Sequence, residues 1–318
     1  MLKPRALSQA EKDKHYDFVR NRFRTQLTAS VAKLGGGTYD DKLMARLETE
    51  LKTLAVGSPV ELEALAIDII AKFPAFSGYA ALRDREKHPN HAAHKNTLSV
   101  VQACFDYGWF SSQRKTWGAY HLVEAYGLRI CPYCQASHVN FHIEKAAKKS
   151  GGVEFEMRPP LDHYLPKSIY PYLAVSLSNL VPSCVQCNSG VKTANDPLGK
   201  GRAHPLGATK ISVQFSAKGT PPKVLNGKLD TDDIVLTLSA ADRESNYHMI
   251  DFRLQERYQW YRHEVKDLLD RHYEHDELHT SLREFIPREL YVLGFLEKHA
   301  EDRAIGLCMR DIFRELKP

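Results

Sequence analysis

Two Cys-x-x-Cys pairs carry the strongest chemical signal in the sequence. Cys131 and Cys134 form the first pair, and Cys184 and Cys187 form the second. Thiolates are zinc ligands, and two such pairs that fold back on each other supply the four ligands of a tetrahedral structural site. Neither pair lies between a strand and a helix of a thioredoxin-like unit, which disfavours a redox function. We therefore expect a four-cysteine zinc site with no open coordination position, so any catalysis must lie elsewhere.

The segment between the cysteine pairs contains a histidine beside a carboxylate, followed by two asparagines. It includes Asp162-His163-Tyr164-Leu165-Pro166-Lys167-Ser168 and then Asn179-Leu180, and Asn188 comes directly after the last cysteine. In order and spacing these residues resemble the zinc-bearing members of the HNH (ββα-metal) endonuclease family. Those members place Asp-His-x-x-Pro-x-Ser, Asn-Leu and Cys-x-x-Cys-His/Asn in this arrangement. The resemblance covers roughly residues 130–198, about a fifth of the chain.

The resemblance implies a role for each of these residues in metal-dependent hydrolysis of DNA. His163 would be the general base that activates water, since the unperturbed pKa of histidine is about 6.5. Asp162 and Asn188 would bind one divalent ion that neutralises charge developing on the phosphate, and Asn179 would orient the histidine. Asn188 stands where many members have histidine, which favours Mg²⁺ over zinc or nickel. Mg²⁺ or Mn²⁺ is therefore the expected catalytic cofactor, beside structural Zn²⁺.

Some of these assignments have simpler alternatives. Asn188 could be only a helix cap, and Asn195 could replace it as a metal ligand. Lys167 and Lys192 are candidate contacts to nucleic-acid phosphates, although isolated lysines are usually only solvated. These alternatives remain open at the level of the sequence.

Two further groups of residues give weaker signals. The histidines His88, His91 and His94 have a proline and an asparagine among them and no nearby carboxylate, so a solvated loop or helix start is expected rather than a metal site. Aromatic residues from 247 to 261 recur at helical spacing, which indicates core packing rather than stacking on unpaired bases. Neither group is expected to take part in catalysis.

Hydrophobic periodicity predicts the elements that must position the site. Apolar residues at three- and four-residue spacing indicate helices through residues 1–128. Ser58-Pro59-Val60-Glu61 combines a capping serine, a proline at the first helical position and a capping-box glutamate. Other helices are predicted at roughly 39–54, 97–110 and 113–126.

The expected fold is mainly α, with a small central ββα-metal (HNH) unit held by the four-cysteine zinc site and a short β hairpin or sheet. Alternating β-branched runs between Lys210 and Ser239 predict the hairpin, and the helical C-terminal part has a break at Pro287. The expected domains are a helical domain at 1–128, an HNH nuclease module at 129–203, and a small β segment followed by C-terminal helices at 204–318.

Composition and charge set broader limits. The chain has 318 residues, of which 43% are hydrophobic, and a formal net charge of +5. Residues 131–203 contain eight Lys/Arg against five Asp/Glu, whereas residues 241–318 contain thirteen against seventeen, so the basic excess lies where a polyanion would bind. The N-terminal residues lack the apolar run of a signal peptide, and a cytoplasmic location is expected. Cys104 and Cys308 are expected to be buried free thiols.

The leading hypothesis is a metal-dependent endonuclease that hydrolyses DNA phosphodiester bonds, with DNA as partner and no membrane contact. An alternative from another class is a non-catalytic zinc-ribbon module that binds nucleic acid without needing Mg²⁺. A third hypothesis makes the nuclease an anti-phage defence effector, silent until a regulatory protein such as an ATPase engages it. HNH proteins of this general make-up often serve such systems, so this last expectation rests on the resemblance.

Overall fold

Helices form the N-terminal part of the chain. The computed structural model describes residues 4–143, 156–193, 195–208, 210–218 and 231–316. The α-helices before residue 127 are α1 (Gln9–Lys33), α2 (Asp41–Thr49), α3 (Leu51–Val56), α4 (Pro59–Lys72), α5 (Pro74–Ala81), α6 (His91–Cys104), α7 (Tyr107–Ser112) and α8 (Ala119–Tyr126).

Local capping chemistry sets the start of α4 as predicted. The Ser58 side chain accepts the Glu61 amide at 3.3 Å, and the Glu61 carboxylate accepts the Ser58 amide at 2.7 Å. This reciprocal pair satisfies two amides that a helix start leaves without partners.

Three predicted helices are wrong in extent. The 97–110 prediction fails because Asp106 interrupts it and caps α7, accepting the Trp109 amide at 3.0 Å. The 113–126 helix begins only at Ala119, since Gly118 before it is extended. The 39–54 helix is divided at Glu50, whose φ of −92° and ψ of 12° leave the helical region. Each break depends on a local backbone choice that hydrophobic periodicity does not register.

Short antiparallel strand pairs occupy the middle of the chain. Within the described ranges they are β1 (His142–Ile143) with β2 (Glu156–Met157), β3 (Leu161–His163) with β4 (Leu180–Pro182), and β5 (Val213–Lys218) with β6 (Val235–Ala240). The β5–β6 pair confirms the predicted hairpin. A π-helical segment, Gln186–Lys192, follows β4. The centre therefore runs strand, strand, helical segment in chain order.

Helices return after β6 and cover the hairpin. They are α9 (Arg243–Asp251), α10 (Leu254–Tyr258), α11 (Arg262–Glu277), α12 (Thr280–Arg283), α13 (Arg288–Leu293) and α14 (Gly306–Glu315). Pro287 lies directly before α13, which confirms the predicted break. Helix α14 packs on β5, where the Asp311 carboxylate accepts the Phe215 amide at 3.4 Å.

Buried apolar side chains form two cores that meet at the β3–β4 pair. The N-terminal core joins the helices before residue 127 to the loop between β3 and β4. The C-terminal core joins the four cysteines to β5, β6 and the C-terminal helices. Leu161 and Leu180 belong to the N-terminal core, whereas Val181 belongs to the C-terminal core. The residues predicted as one nuclease module thus divide their side chains between both cores.

Among the described helices, no single helix is both long enough and apolar enough to span a membrane. Helices α4 and α5 pass that test only when taken together, and they meet at an angle of 110°. Leu62, Leu65 and Ile69 of α4 are buried in the N-terminal core.

Candidate metal centre and adjoining site

The four cysteines of the two pairs lie together, as predicted, and all are buried. Their sulfur atoms lie within 4.8 Å of one another, and those of Cys134 and Cys184 are 3.9 Å apart. Tetrahedral zinc with Zn–S bonds of about 2.3 Å requires sulfur atoms about 3.8 Å apart. The four thiols could therefore hold a metal ion such as zinc in a closed site.

Hydrogen bonds to sulfur prepare this cluster to carry negative charge. The Cys184 amide donates to the Cys131 sulfur at 3.3 Å, and the Cys187 amide donates to the Cys184 sulfur at 3.4 Å. Arg257 Nη1 donates to the Cys187 sulfur at 3.3 Å. Bonds from the other three thiols hold the pKa of Cys134 below its usual value, whereas burial raises the pKa of Cys131 and the neighbouring thiols raise that of Cys187. Without a metal ion the cluster therefore shares its negative charge unequally among the four sulfur atoms, and thiolates are the form that ligates zinc.

The two remaining cysteines are buried away from this cluster, as predicted. Cys104 lies in the N-terminal core, 3.7 Å from the Phe23 carbonyl oxygen, and burial raises its pKa to about 12. Cys308 lies in the C-terminal core, and burial raises its pKa as well. Both therefore stay protonated and unreactive at neutral pH.

His163 ends β3 and is held by a carbonyl on the loop that follows. Its Nε2 lies 2.9 Å from the Ala174 oxygen, and its ring meets the Tyr107 ring edge-on at 4.6 Å. A carbonyl can only accept, so Nε2 carries the proton and Nδ1 keeps the lone pair. Enclosure by the protein lowers the pKa of His163 to about 3, so the ring is neutral at pH 7. A partly exposed, neutral imidazole with an available Nδ1 can accept a proton.

Asn179 closes the loop that carries this carbonyl. Its Oδ1 accepts the Leu165 amide at 2.7 Å, and its Nδ2 donates to the Leu165 and Leu173 oxygens, both at 3.0 Å. Its own carbonyl accepts the Tyr164 amide at 3.0 Å. These bonds connect Leu165, two residues after His163, to Leu173, one residue before Ala174. The Ala174 carbonyl is the one that accepts from His163 Nε2.

A second buried histidine fastens the same loop to helix α1. His15 Nε2 lies 2.7 Å from the oxygen of Val175, the residue after Ala174, and Trp117 Nε1 donates to His15 Nδ1 at 2.9 Å. The carbonyl needs a proton on Nε2 and the indole needs a lone pair on Nδ1, so the ring must be neutral. Burial lowers the pKa of His15 to about 4. Sequence reasoning missed this residue because its carbonyl partner is 160 positions away.

Acid is expected to weaken folding through His15. The histidine titrates near 6.5 in the unfolded chain and at about 4 in the folded protein, so between these values the unfolded chain binds more protons. The contribution is complete above pH 6.5 and falls by about 3 kcal/mol as pH drops toward 4. His15→Gln retains a donor and an acceptor but cannot titrate. Urea unfolding should therefore depend less steeply on pH in that variant, and equal pH dependences would refute the assignment.

Asp162 lies one residue before His163. Its carboxylate accepts hydrogen bonds from a residue within the first cysteine pair and from a residue after the second pair. Tyr133, inside the first pair, donates its hydroxyl to Asp162 Oδ2 at 2.5 Å. Lys192, which ends the π-helical segment, places Nζ 3.1 Å from Oδ1 and donates to the His163 carbonyl oxygen at 2.8 Å. The Asp162 and Lys192 side chains are only 2% and 8% exposed. Burial raises the pKa of Asp162, and the Lys192 charge and the Tyr133 hydroxyl oppose that change.

The Asp162 carboxylate and the His163 ring have different neighbours. The carboxylate contacts Tyr133 and Lys192, whereas the ring contacts the Ala174 carbonyl and Tyr107. Successive residues of a strand point to opposite faces, which accounts for the separation. The structure therefore does not bring the proposed metal ligand and the proposed base together in one site. Their shared partner is the Lys192 ammonium, which binds the carboxylate and the His163 main chain.

The asparagines proposed as ligands lie on and after the π-helical segment. Asn188 is four residues before Lys192, about one turn, so the two share a face of that segment. Asn195 is exposed, and its amide donates to the Lys192 carbonyl at 3.0 Å. Asn195 lines the same cavity as Lys192 and Tyr133, so the choice between the two asparagines as ligands stays open.

Lys167 lies on the histidine side of β3. It is exposed, and its Nζ stands 4.5 Å from the centre of the Tyr107 ring that also contacts His163. A cation near a partly exposed imidazole suits a phosphate contact. Lys192, the other lysine predicted for that role, instead points its ammonium inward to Asp162.

The two weaker sequence signals are the three histidines and the aromatic run, and most of these residues lie in packed or helical positions. His88, His91 and His94 surround Tyr79, with ring centres 5.9, 6.0 and 5.5 Å from it, and His91 begins α6. In the aromatic run, for most of which core packing is expected, Phe252 and Tyr258 are buried, whereas Trp260 is 84% exposed.

Comparisons with known proteins add no relative. No protein-family model matches the sequence, and neither curated proteins nor solved structures give a match. Function must therefore be inferred from the chemistry of the residues themselves.

Proposed function

We propose that this chain is an HNH-type, metal-dependent endonuclease that hydrolyses phosphodiester bonds in DNA. The state of His163 carries the proposal: a neutral, partly exposed imidazole whose Nε2 is committed to a carbonyl and whose Nδ1 is left to accept a proton. An unprotonated ring nitrogen is one requirement for a general base at neutral pH, and His163 meets it.

The order of elements around His163 supports the proposal. β3 pairs with β4, and the π-helical segment follows within a few residues. Cys184 lies between β4 and that segment, and Cys187 lies within it. A zinc ion at the four thiols would therefore fix the strands relative to the helical segment, a structural role rather than a catalytic one.

Oxygen ligands next to the histidine fit a hard divalent cation. The Asp162 carboxylate and the His163 carbonyl already share one cation, the Lys192 ammonium. In this proposal Asp162 and Asn188 hold Mg²⁺ or Mn²⁺, and the bound ion supplies positive charge that stabilises the phosphate and the leaving oxygen. His163 Nδ1 accepts the proton of the attacking water, while Asn179 and His15 keep the loop that orients the ring in place.

The substrate assignment draws on charge. Residues 131–203 carry a basic excess, and Lys167 presents its ammonium on the same side of β3 as the His163 ring. Phosphate contacts from such side chains position a nucleic acid without reading its sequence. We propose DNA as the substrate, with Lys167 as a contact to its backbone.

The decisive experiment uses the purified, zinc-loaded full chain with supercoiled plasmid and with single-stranded DNA. Nicking or linearisation that requires Mg²⁺ or Mn²⁺ and stops with a chelator of those ions is expected. Absence of cleavage with every divalent ion, together with DNA binding that survives chelation, would instead identify a non-catalytic zinc-ribbon module.

The closed contact of Asp162 with Tyr133 and Lys192 favours two alternatives specifically. In a binding module the Asp162 carboxylate could stay bonded to Tyr133 and Lys192. In an effector, the carboxylate would leave these partners only when a regulatory protein such as an ATPase engages the chain. Cleavage by the purified chain alone would count against both alternatives.

A further inference from the structure

We propose that Lys192 is an internal cation that holds the divalent-ion position, and that the catalytic ion must displace its ammonium to bind Asp162. This inference rests on the nuclease function proposed above. It assigns to Lys192 a role as competitor of the metal.

The contacts of Lys192 are those expected of a small cation at this position. Its Nζ binds one carboxylate oxygen of Asp162 at 3.1 Å and the main-chain oxygen of His163 at 2.8 Å. A carboxylate and a carbonyl are also the oxygen ligands that Mg²⁺ and Mn²⁺ take from proteins. The ammonium and the metal therefore compete for the same lone pairs.

Burial makes it costly to leave either charge without a partner. Asp162 is 2% exposed and Lys192 is 8% exposed, so bulk water solvates neither charge well. A buried carboxylate without a cationic partner is strongly destabilising. The ammonium binds Oδ1 and the Tyr133 hydroxyl binds Oδ2, so both carboxylate oxygens already have a partner. In this proposal an ion that takes Oδ1 therefore replaces the ammonium.

The structure provides a place for the displaced ammonium. A cavity of about 30 Å³ adjoins Lys192 and is lined by Asn195, Arg202 and Asp251, among others. That volume exceeds the roughly 10–15 Å³ that one water molecule needs. The Asp251 carboxylate in its wall is paired with Arg202 at 2.8 Å and can accept a second donor. Lys192 and Asp251 line the same cavity, so in this proposal the displaced ammonium turns toward that second carboxylate.

Removal of the ammonium should make the metal site easier to fill. A competing bound state lowers the apparent affinity of a ligand by the fraction of molecules that are competent to bind it. Lys192→Met keeps the length of the side chain without its charge. In the zinc-loaded full chain, this variant is expected to bind Mn²⁺ about tenfold or more tightly than the native chain by titration calorimetry.

Thermal melting supplies a readout that is independent of cleavage. Mn²⁺ should raise the Tm of Lys192→Met more than that of the native chain, since the ion replaces the missing counter-charge of Asp162. Lys298→Met removes an exposed lysine that does not line this cavity and should leave Mn²⁺ binding unchanged.

A double variant covers the case in which Lys192→Met does not fold. Asp162→Asn with Lys192→Met removes both charges, so it should fold without Mn²⁺ and show no Mn²⁺-dependent change in Tm. If Lys192→Met folds only when Mn²⁺ is present, the proposal is supported. If it stays unfolded at saturating Mn²⁺ while the double variant folds, the ion cannot replace the ammonium and the proposal is overturned.

The outcomes also separate this inference from the proposed nuclease activity. Equal Mn²⁺ affinities in the native chain and Lys192→Met, alongside Mn²⁺-dependent cleavage by the native chain, would overturn the role of Lys192 and leave the nuclease intact. Tighter Mn²⁺ binding by Lys192→Met without cleavage by either protein would support the cation exchange and overturn the nuclease. Absence of Mn²⁺ binding and of cleavage in both would overturn both.

Discussion

Replacement of His163 by alanine is expected to slow Mn²⁺-dependent plasmid cleavage by about 100- to 10,000-fold, the range that a general base contributes. The imidazole is neutral, and its Nε2 is fixed by the Ala174 carbonyl, so Nδ1 is the atom that would take the proton from water. Alanine removes that acceptor while keeping the β3 backbone. Initial rates of nicking at saturating Mn²⁺ measure the effect.

The matched control is His138→Ala. His138 is an exposed histidine close to the first cysteine pair, outside the β3–β4 pair, and its removal should leave the nicking rate unchanged. His163→Ala loses its bond to the Ala174 carbonyl, so its Tm should fall modestly. A native zinc content and a Tm well above the assay temperature in both variants exclude a folding defect as the cause. Native-like cleavage by His163→Ala would eliminate this histidine as the base.

Replacement of Cys184 by serine is expected to lower the zinc content well below one ion per chain and to lower Tm by more than about 10 °C. Structural zinc contributes about 10 kcal/mol or more to folding in small zinc sites, and a few kcal/mol correspond to about 10 °C in a chain of this size. Of the four cysteines that could hold zinc, Cys184 lies between β4 and the π-helical segment. Its loss should therefore loosen both elements together.

Cys308→Ser provides the control for this change. It makes the same thiol-to-hydroxyl replacement at a fully buried position of the C-terminal core that lies outside the cluster. Zinc content, measured by atomic absorption, should stay at one ion per chain in that variant. If Cys184→Ser retained a full complement of zinc and a native Tm, the four thiols would not be the metal site.

Features encoded by neighbouring residues could be predicted from the sequence. The capping box at Ser58 and Glu61 needs only four consecutive residues, and the hairpin at β5–β6 needs only local alternation. The cysteine pairs were recognisable because each pair is itself a local motif with one chemical purpose. The break at Asp106 was missed because capping there competes with hydrophobic periodicity and prevails.

Contacts between distant residues could not be predicted in the same way. The local sequence suggests that Lys192 contacts phosphate, yet its ammonium binds the Asp162 carboxylate, 30 positions earlier. Arg257 reaches a cysteine 70 positions earlier, and nothing in its local sequence signals that contact. The opposite orientation of the Asp162 and His163 side chains follows from their place in β3, a strand whose bounds the expected ββα unit does not specify.

The sharing of the β3–β4 pair between two cores bears on whether residues 129–203 form a separable unit. Leu161 and Leu180 lie in the core that contains the N-terminal helices, and Val181 lies in the core that contains the C-terminal helices. A fragment cut at these bounds would lose both sets of helices and expose apolar surface that they cover. The strand pair is therefore expected to need both flanks for a stable fold.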